Sequence, residues 1–445
     1  MKVVLPVHHF PPDYSSGAEL YTLRLARWLI EHGHEAEVVC IRAIDRGRPD
    51  QLEAVRDVYE GVPVWRLSFD LMHAPQREVW TYDNPLLGEW FDQYLQHHRP
   101  DVVHFQAGYL LGIAPLRMAH QHKLPTMLTL HDYWFICPRH NLLRSDGTLC
   151  DPIPADPMGC AWCRFAERDG VRKINLYSGG LLEYIMRSVG LERQRELYAD
   201  RRRRLAAAIR WADVVISLSK FLARRVRDTL GEGAWEIKVS RCGLDLSRFA
   251  HLKRNSSPKV RIGYIGQIAP HKGVHLLCEA FRRLRNEDVE LHIYGNLGAF
   301  PDYADRLRQL GEGDSRIRFH GFCSSKEVPQ VLANFDVSVV PSVWFENSPA
   351  VILESLAAGT PVITSNIGGM AELVQDGIDG LHFAAGSADS LAHQLQRLLD
   401  EPDLLARLQR GAAASPTPRS IDDEMNELLA IYERAIRSRA TCHVA

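Results

Sequence analysis

The chain has 445 residues, 46% of them apolar and 24% charged, with a formal net charge of −2. That length exceeds one ordinary core and predicts two domains, and the near-neutral balance argues against general nucleic-acid binding. No apolar run approaches the roughly 20 residues of a membrane-crossing helix. The start, Met1-Lys2-Val3-Val4-Leu5-Pro6, reads as a strand without the apolar core of a signal peptide, so a cytoplasmic protein is expected. There, nine cysteines favour free thiols or a metal over disulfides.

Val3 to Val7 is the first predicted strand. A loop runs from His8 to Gly17, and a helix follows over 19–32 with Leu20, Leu23, Leu25, Ala26, Leu29 and Ile30 on one apolar face. Gly33 stops it, and Ala36 to Ile41 is the next strand, completing one unit of a Rossmann-like sheet. Ser16-Gly17-Ala18 stands at the helix start, where a residue without Cβ lets backbone approach a phosphate. The same glycine also suits an ordinary turn. Tyr59 to Leu67 reads as one strand weakened by Gly61 and Pro63. Asn84 to His97 is a helix, Pro100 to Phe105 a strand and Gly112 to His122 a helix. Pro125 to Leu130 is a strand ending at His131. That histidine stands where open sheets bind ligands, and it reads equally as a hydrogen-bonded structural residue.

An insert follows. Cys137, Cys150, Cys160 and Cys163 fall close together, and the last two form a Cys-x-x-Cys pair suited to one tetrahedral ion. The stretch between is rich in Pro, Gly and Asp and predicts no core of its own. A structural zinc would supply cross-links. His140 is a competing ligand, and an iron–sulfur cluster or free, redox-active thiols are the other readings. Residues 164–204 read as helical and basic, with four arginines at 201–204. Two readings stand: an amphipathic surface for anionic lipid or a lipid-diphosphate acceptor, and a solvated helix packed on the first sheet. Ala212 to Ser219 is a strand, Phe221 to Leu230 a helix, and Trp235 to Ser240 leads to Arg241-Cys242-Gly243-Leu244-Asp245. The polar run Lys253 to Pro258 reads as a domain boundary.

The second half repeats the pattern. Val260 to Ile265 is a strand ending in Gly266-Gln267-Ile268-Ala269-Pro270-His271-Lys272-Gly273, ahead of a helix from Val274. Gly266 and the mobile ammonium of Lys272 suit a diphosphate, although a surface lysine is ordinarily solvated. Strands follow at Val289 to Tyr294, Ile317 to Phe322, Phe335 to Pro341 and Pro361 to Thr364. Between the last two lies a short helix, with Ser348 as the expected N-cap, Pro349 at the first helical position and Gly359 ending it. The free amides near Asn347, Ser348 and Pro349 and the helix dipole suit a phosphate. Glu346 precedes the cap, and Glu354 sits in an apolar helical run where a carboxylate needs a partner. The bland reading pairs Glu354 with an arginine and leaves Glu346 solvated.

Glu346 and Glu354, followed by Ala-Ala-Gly-Thr-Pro-Val-Ile and then Ile367-Gly368-Gly369-Met370-Ala371-Glu372, resemble the signature of the retaining family 4 glycosyltransferases. Gly380-Leu381-His382-Phe383 resembles that family's closing strand, and Gly243-Leu244-Asp245 its hinge turn. The resemblance implies a GT-B fold, two doubly wound α/β domains facing across a cleft. Their expected bounds are 1–240 for the acceptor side, with the Cys-rich insert 137–163 and basic segment 164–204, and 259–420 for the donor side. Residues 241–258 form the hinge, and 421–445 a C-terminal helix, packing back on the first domain, and tail. It implies that Gly17 faces the donor pyrophosphate, that His131 contacts the donor sugar near the reacting centre, that Glu346 binds sugar hydroxyls and that Glu354 binds the ribose. Gly266 and Lys272 match the family's Gly-Arg-x-x-x-x-Lys-Gly, whose basic residues neutralise the leaving diphosphate. Gln267 replaces the arginine.

The expected function is therefore retaining transfer of a sugar from a UDP- or GDP-sugar to a hydroxyl of a saccharide or lipid-linked saccharide, in surface polysaccharide assembly. His131, Glu346 and Lys272 are the catalytic candidates. No Asp-x-Asp motif calls for a divalent ion, so zinc is expected only as a structural ion. Peripheral association with the inner face of a membrane is the lipid-linked corollary. A nucleotide-sugar epimerase of the same architecture and a non-catalytic nucleotide-sugar binder are the alternatives.

Overall fold

The computed structural model describes residues 1–48, 50–231 and 237–442, with side chains to Arg439. Short β-branched runs closed by turn residues form two sheets. The first joins β1 (Lys2–Val7), β2 (Glu35–Ala43), β3 (Leu52–Tyr59), β4 (Val62–Phe69), β5 (Val102–Phe105), β6 (Thr126–Leu130), β7 (Val214–Ser217) and β8 (Ile237–Val239). The second joins β9 (Val260–Ile265), β10 (Val289–Tyr294), β11 (Ile317–Gly321), β12 (Val337–Val340), β13 (Val362–Ser365) and β14 (Gly380–Phe383). The chain divides into two units, Met1–Ser240 with the segment from Met425, and Arg241–Glu424. The polar run before Pro258 thus lies inside the second unit. Trp235, in the approach to β8, lies outside the described residues.

The first sheet runs β3-β4-β2-β1-β5-β6-β7-β8 and is parallel except for β3. Tyr59 to Leu67 is not one strand. Glu60 and Gly61, both at positive φ, turn the chain so that β3 and β4 pair antiparallel with Tyr59 opposite Val62. Gly61 is the hairpin's turn residue rather than a flaw in a strand. The remaining strands are near-continuous apolar runs, as burial on both faces requires, with Val3, Val4, Leu5, Val102, Val103 and Met127 sealed from solvent.

The second sheet is wholly parallel, in order β11-β10-β9-β12-β13-β14. Its strands number 3-2-1-4-5-6 in their own sequence, the Rossmann order, with the reversal between β9 and β12. Ile262, Leu291, Ile293, Val339 and Ile363 build its core. Both units are Rossmann-like α/β structures.

The C-terminal helix, Ile421–Cys442, is tied to the first sheet by a buried polar link. His104 on β5 lies 2.6 Å from the Tyr432 hydroxyl and 2.7 Å from the Thr129 hydroxyl. Burial lowers the His104 imidazole to about 3, and neighbouring His131 adds to this. In the unfolded chain it titrates near 6.5, so the unfolded state takes up the proton first as pH falls. The stabilisation is complete above 6.5 and is lost progressively toward 3. Acidification from about pH 7.5 to about pH 5 is expected to cost about 2 kcal/mol at this residue. Urea unfolding should show the wild-type advantage over His104→Gln shrinking by that amount; parallel pH profiles would refute it.

Candidate functional site

In each unit the chain brings its chemistry to the carboxyl edge, where the strand order reverses and adjacent loops part. In the second unit the loops after β9 and β12 meet there. Gly273, at φ 70°, carries no Cβ because one would sit 1.9 Å from the Pro341 carbonyl oxygen. The Val343 amide donates to the His271 carbonyl at 2.9 Å, holding the loops side by side.

That contact places Lys272 against Glu346. Lys272 Nζ lies 2.6 Å from Glu346 Oε1, which also accepts from Ser342 Oγ at 2.9 Å and Trp344 Nε1 at 2.7 Å. Glu346 is 8% exposed, so it is not the solvated loop acid of the bland reading. Three donors, one of them a cation, hold one carboxylate oxygen and leave the geometry of the group fixed. The Lys272 ammonium also stands 5.2 Å from the Trp344 ring centre. Burial and the adjacent Lys272 push His271 down to about 4, so it is neutral and adds no charge to replace the missing arginine. Gln267 is exposed, and its carbonyl accepts from the Tyr264 hydroxyl at 2.7 Å. Gly266 lies beside that same hydroxyl.

The Gly-Gly turn props this loop from below. Gly369 donates to the Glu346 carbonyl at 2.7 Å, and a Cβ on it would fall 1.6 Å from the Asn347 carbonyl oxygen. Gly368, at φ 62°, is pressed against Phe345 and Glu346 in the same way. The helix that follows spans Ala350–Ala357 and is capped by Pro349, one position later than expected. Ser348 therefore does not cap it: its Oγ is buried without a partner among the described residues, a polar atom suited to a ligand. Asn347 is buried beside it. Glu354 falls in the second helical turn, half-buried, between buried Leu353 and Ser355. Gly359 takes φ 71° and ends the helix.

In the first unit the reversal lies between β1 and β5. His131, just beyond β6, has Nε2 3.1 Å from Gln106 Oε1 and its ring edge-on to Tyr21 at 4.9 Å. An amide oxygen only accepts, so Nε2 carries the proton. Burial, then His8, lowers the imidazole to about 3 and keeps it neutral. Gly17 opens the helix Gly17–Glu31 with no atom within 4 Å of the place a Cβ would take, so packing makes no demand on it. Beside it, Glu19 accepts from the Ser16 hydroxyl and pairs with His8 at 3.0 Å. Burial alone would raise Glu19, but the His8 and Ser16 hydrogen bonds outweigh it and lower the carboxyl to about 2.

His8, Glu19, Gln106, Ser342 and Trp344 were not singled out from the sequence. Ser16-x-x-Glu19 carries a capping-box signal that could have marked the first pair. His8 and Gln106 share the strand-end address of His131. Ser342 and Trp344 become visible only when Glu346 turns back toward its own strand.

The four cysteines of the insert lie in one neighbourhood. Burial raises Cys160 to about 11, with Cys137, Cys150 and Cys163 each adding to the rise and Arg202 opposing it. Yet among the described residues no three His, Cys, Asp or Glu side chains stand close enough to hold a metal ion. Arginines stand near them, Arg144 beside Cys150 and Arg139 beside Cys163, and their charge opposes the rise that burial imposes on both thiols. The insert also has its own small core of Met158, Ala161, Trp162, Ala166 and Leu191, so it does not depend on a metal for apolar burial.

A cavity of about 370 Å³ opens beside this insert, within the first unit. Tyr109, Trp134, Tyr198, Arg139, Arg164 and Arg201 are among its walls. Arg201 is 6% exposed, donates to the Trp134 carbonyl and lies 5.0 Å from the Trp134 ring centre. Two wall residues, Leu110 and His140, hold positive φ.

Known proteins share both the sequence and the architecture. Residues 15–248 match Glycosyltransferase Family 4, and residues 248–415 match Glycosyl transferases group 1. A glycogen synthase of Mycobacterium tuberculosis is 33% identical over 208 residues, 46% of this chain and 50% of that protein. The chain thus spans about half the length of the first curated relatives it matches. An uncharacterized glycosyltransferase of Methanocaldococcus jannaschii is 29% identical over 404 residues, 90% of each chain. Anabaena HepE in complex with UDP superposes with a TM-score of 0.66 at 17% identity, over 98% of this chain and 100% of that one. Sucrose-phosphate synthase of Thermosynechococcus elongatus gives 0.67 at 18%, over 98% and 99%. These two likenesses show the GT-B fold, and the match over more than half of the sequence shows that this chain belongs to Glycosyltransferase Family 4.

Proposed function

We propose that the protein transfers a sugar from a nucleoside-diphosphate sugar to an acceptor hydroxyl with retention of configuration. The Lys272–Glu346 pair, bridging the two loops where the second sheet reverses, is the observation that carries this reading. The bond from the anomeric carbon to the diphosphate oxygen breaks and its electron pair leaves with the diphosphate. A bond to the acceptor oxygen forms on the same face as its O–H bond breaks, the proton passing to the departing diphosphate oxygen. Charge on the departing diphosphate is the largest demand, and a fixed ammonium with helix-start amides meets it by preorganisation. Lys272 has three N–H donors and Glu346 takes one, which leaves capacity for a phosphate oxygen. The remaining Glu346 oxygen is suited to sugar hydroxyls, and Glu354 to the ribose. His131, neutral and oriented by Gln106, is the first unit's group for contacting the sugar.

HepE is described in complex with UDP and with UDP-glucose, which supports a uridine donor here. The arginine-rich cavity supports an acceptor that carries a negative group beside a ring able to stack on Tyr109 or Trp134. Colanic acid glycosyltransferases among the relatives support polysaccharide assembly as the setting.

A panel of nucleotide-sugars tests the reading. One donor is expected to raise the melting temperature and to release its nucleoside diphosphate slowly without acceptor. Conversion of the donor to an isomer would establish an epimerase instead. Binding without turnover, even with acceptor mixtures, would establish a binder.

A further inference from the structure

Between Asp169 and Gly190 the chain folds back on itself. A helix at Asp169–Tyr177 is followed by a short one at Leu181–Ile185 that runs into a π-helical turn, Met186–Gly190. Gly179 and Gly180, at φ 60° and 90°, make the reversal. One apolar set, Val171, Leu182 and Met186, packs on the insert's small core. A second set faces water. Leu176, Tyr177, Tyr184 and Val189 are 78%, 88%, 72% and 81% exposed, and Ile174 and Leu181 are more than half exposed. Single exposed apolar side chains are ordinary in proteins, but six within sixteen residues are a local concentration of the kind found at interaction sites. A helical element apolar on both faces belongs against something other than water.

The flanking charge indicates what that is. Residues 168–195 carry six arginines and lysines against three carboxylates. Arg172, Arg187 and Arg195 pair with Asp169, Glu183 and Glu192. Arg168, Lys173 and Arg193 have no carboxylate partner among the described residues. Tyrosines, apolar in the ring and polar at the tip, suit the level of lipid headgroups. Among the described residues no helix is long and apolar enough to cross a membrane, so the element would lie in the interface rather than span it.

We propose that this helical reversal docks the protein on an anionic phospholipid surface, with Leu176, Tyr177, Tyr184 and Val189 entering the acyl boundary and Arg168, Lys173 and Arg193 meeting lipid phosphates. The exposed apolar face gives the main attraction, and each cation adds about 1 kcal/mol, or roughly fivefold, near a charged bilayer.

Co-flotation of the full chain with vesicles tests this. The protein is expected to float with phosphatidylglycerol-containing vesicles and to remain below with pure phosphatidylcholine. Leu176→Asp/Tyr177→Asp/Val189→Asp should reduce the partition at least about tenfold with no change in melting temperature, since these side chains are exposed. Arg168→Glu/Lys173→Glu/Arg193→Glu should abolish the preference for the anionic lipid, and high salt should do the same to the wild type. Wild-type protein that does not float, or a triple-aspartate variant that floats equally, would overturn the proposal. So would a wild-type dimer that becomes monomeric in that variant while neither floats, because the face would then be a contact between copies of the chain.

Discussion

Glu346→Ala is expected to lower turnover by about 10³-fold or more while the protein still binds nucleoside diphosphate. In the structure Glu346 Oε1 collects Lys272, Ser342 and Trp344, so the carboxylate serves two purposes. Under the proposed function it offers its other oxygen to the donor sugar and fixes the ammonium assigned to the leaving group. Removing it also removes a negative charge beside the diphosphate. Nucleoside-diphosphate affinity should hold or rise by up to about tenfold, while affinity for the intact donor falls. Glu346→Gln separates the two purposes: the amide keeps the shape and hydrogen-bonding capacity but not the ion pair. Steady-state kinetics with product detection, and calorimetry with nucleoside diphosphate alone, give both readouts. Turnover within a few-fold of wild type would remove Glu346 from the chemistry. Loss of nucleotide binding in a folded variant would make it a structural residue.

Gly369→Ala tests whether the loop's position matters as much as its residues. A Cβ there would lie 1.6 Å from the Asn347 carbonyl oxygen and 2.6 Å from its carbon. Both are backbone atoms, so no rotamer relieves the clash and the loop itself must shift by more than an ångström. Displacement on that scale is expected to cost about 10²-fold in kcat/KM, since positioning errors of this size misalign reacting groups. Gly17→Ala is the contrast, because nothing lies within 4 Å of its added Cβ. It should leave the melting temperature unchanged, and any loss of donor affinity would report a ligand approaching that backbone. Wild-type kinetics in Gly369→Ala would show that the loop tolerates movement and that its fixed geometry is irrelevant.

These two glycines show what the sequence discloses and what it withholds. The Gly-Gly-x-x-Glu turn is visible as a motif, but its reason, a backbone packed on the backbone of Glu346 and Asn347, needs coordinates. The parallel strands were readable because β-branched runs buried on both faces leave a plain pattern. The β3–β4 hairpin was not, because every residue from Glu53 to Val58 is exposed and no apolar alternation marks an edge strand. Lys272 and Glu346 were each visible as charged residues at strand ends, but their pairing spans 74 positions and depends on the strand order. The cysteine spacing correctly brought four thiols together. It could not register that Arg139 and Arg144 would stand beside two of them. The cap fell on Pro349 rather than Ser348 because both suit a helix start and only the backbone angles choose between them. The basic segment reads in the sequence as either a solvated helix packed on the first sheet or a lipid-facing surface, because residue spacing alone does not tell how far Leu176, Tyr177 and Val189 stand out of the fold.

The path of the chain between the two units bears on how the protein is made. The second unit is one contiguous stretch, Arg241–Glu424, whereas the first is closed by residues that follow it. Tyr432 reaches back 328 positions to His104. On the ribosome the second unit can therefore finish folding while the first still lacks its last helix, the reverse of the usual N-terminal-first order. A premature stop near residue 420 would spare the second sheet and leave a buried histidine on β5 without its tyrosine. The same logic makes 241–424 the piece to express alone, and makes a C-terminal tag or truncation a perturbation of the N-terminal half.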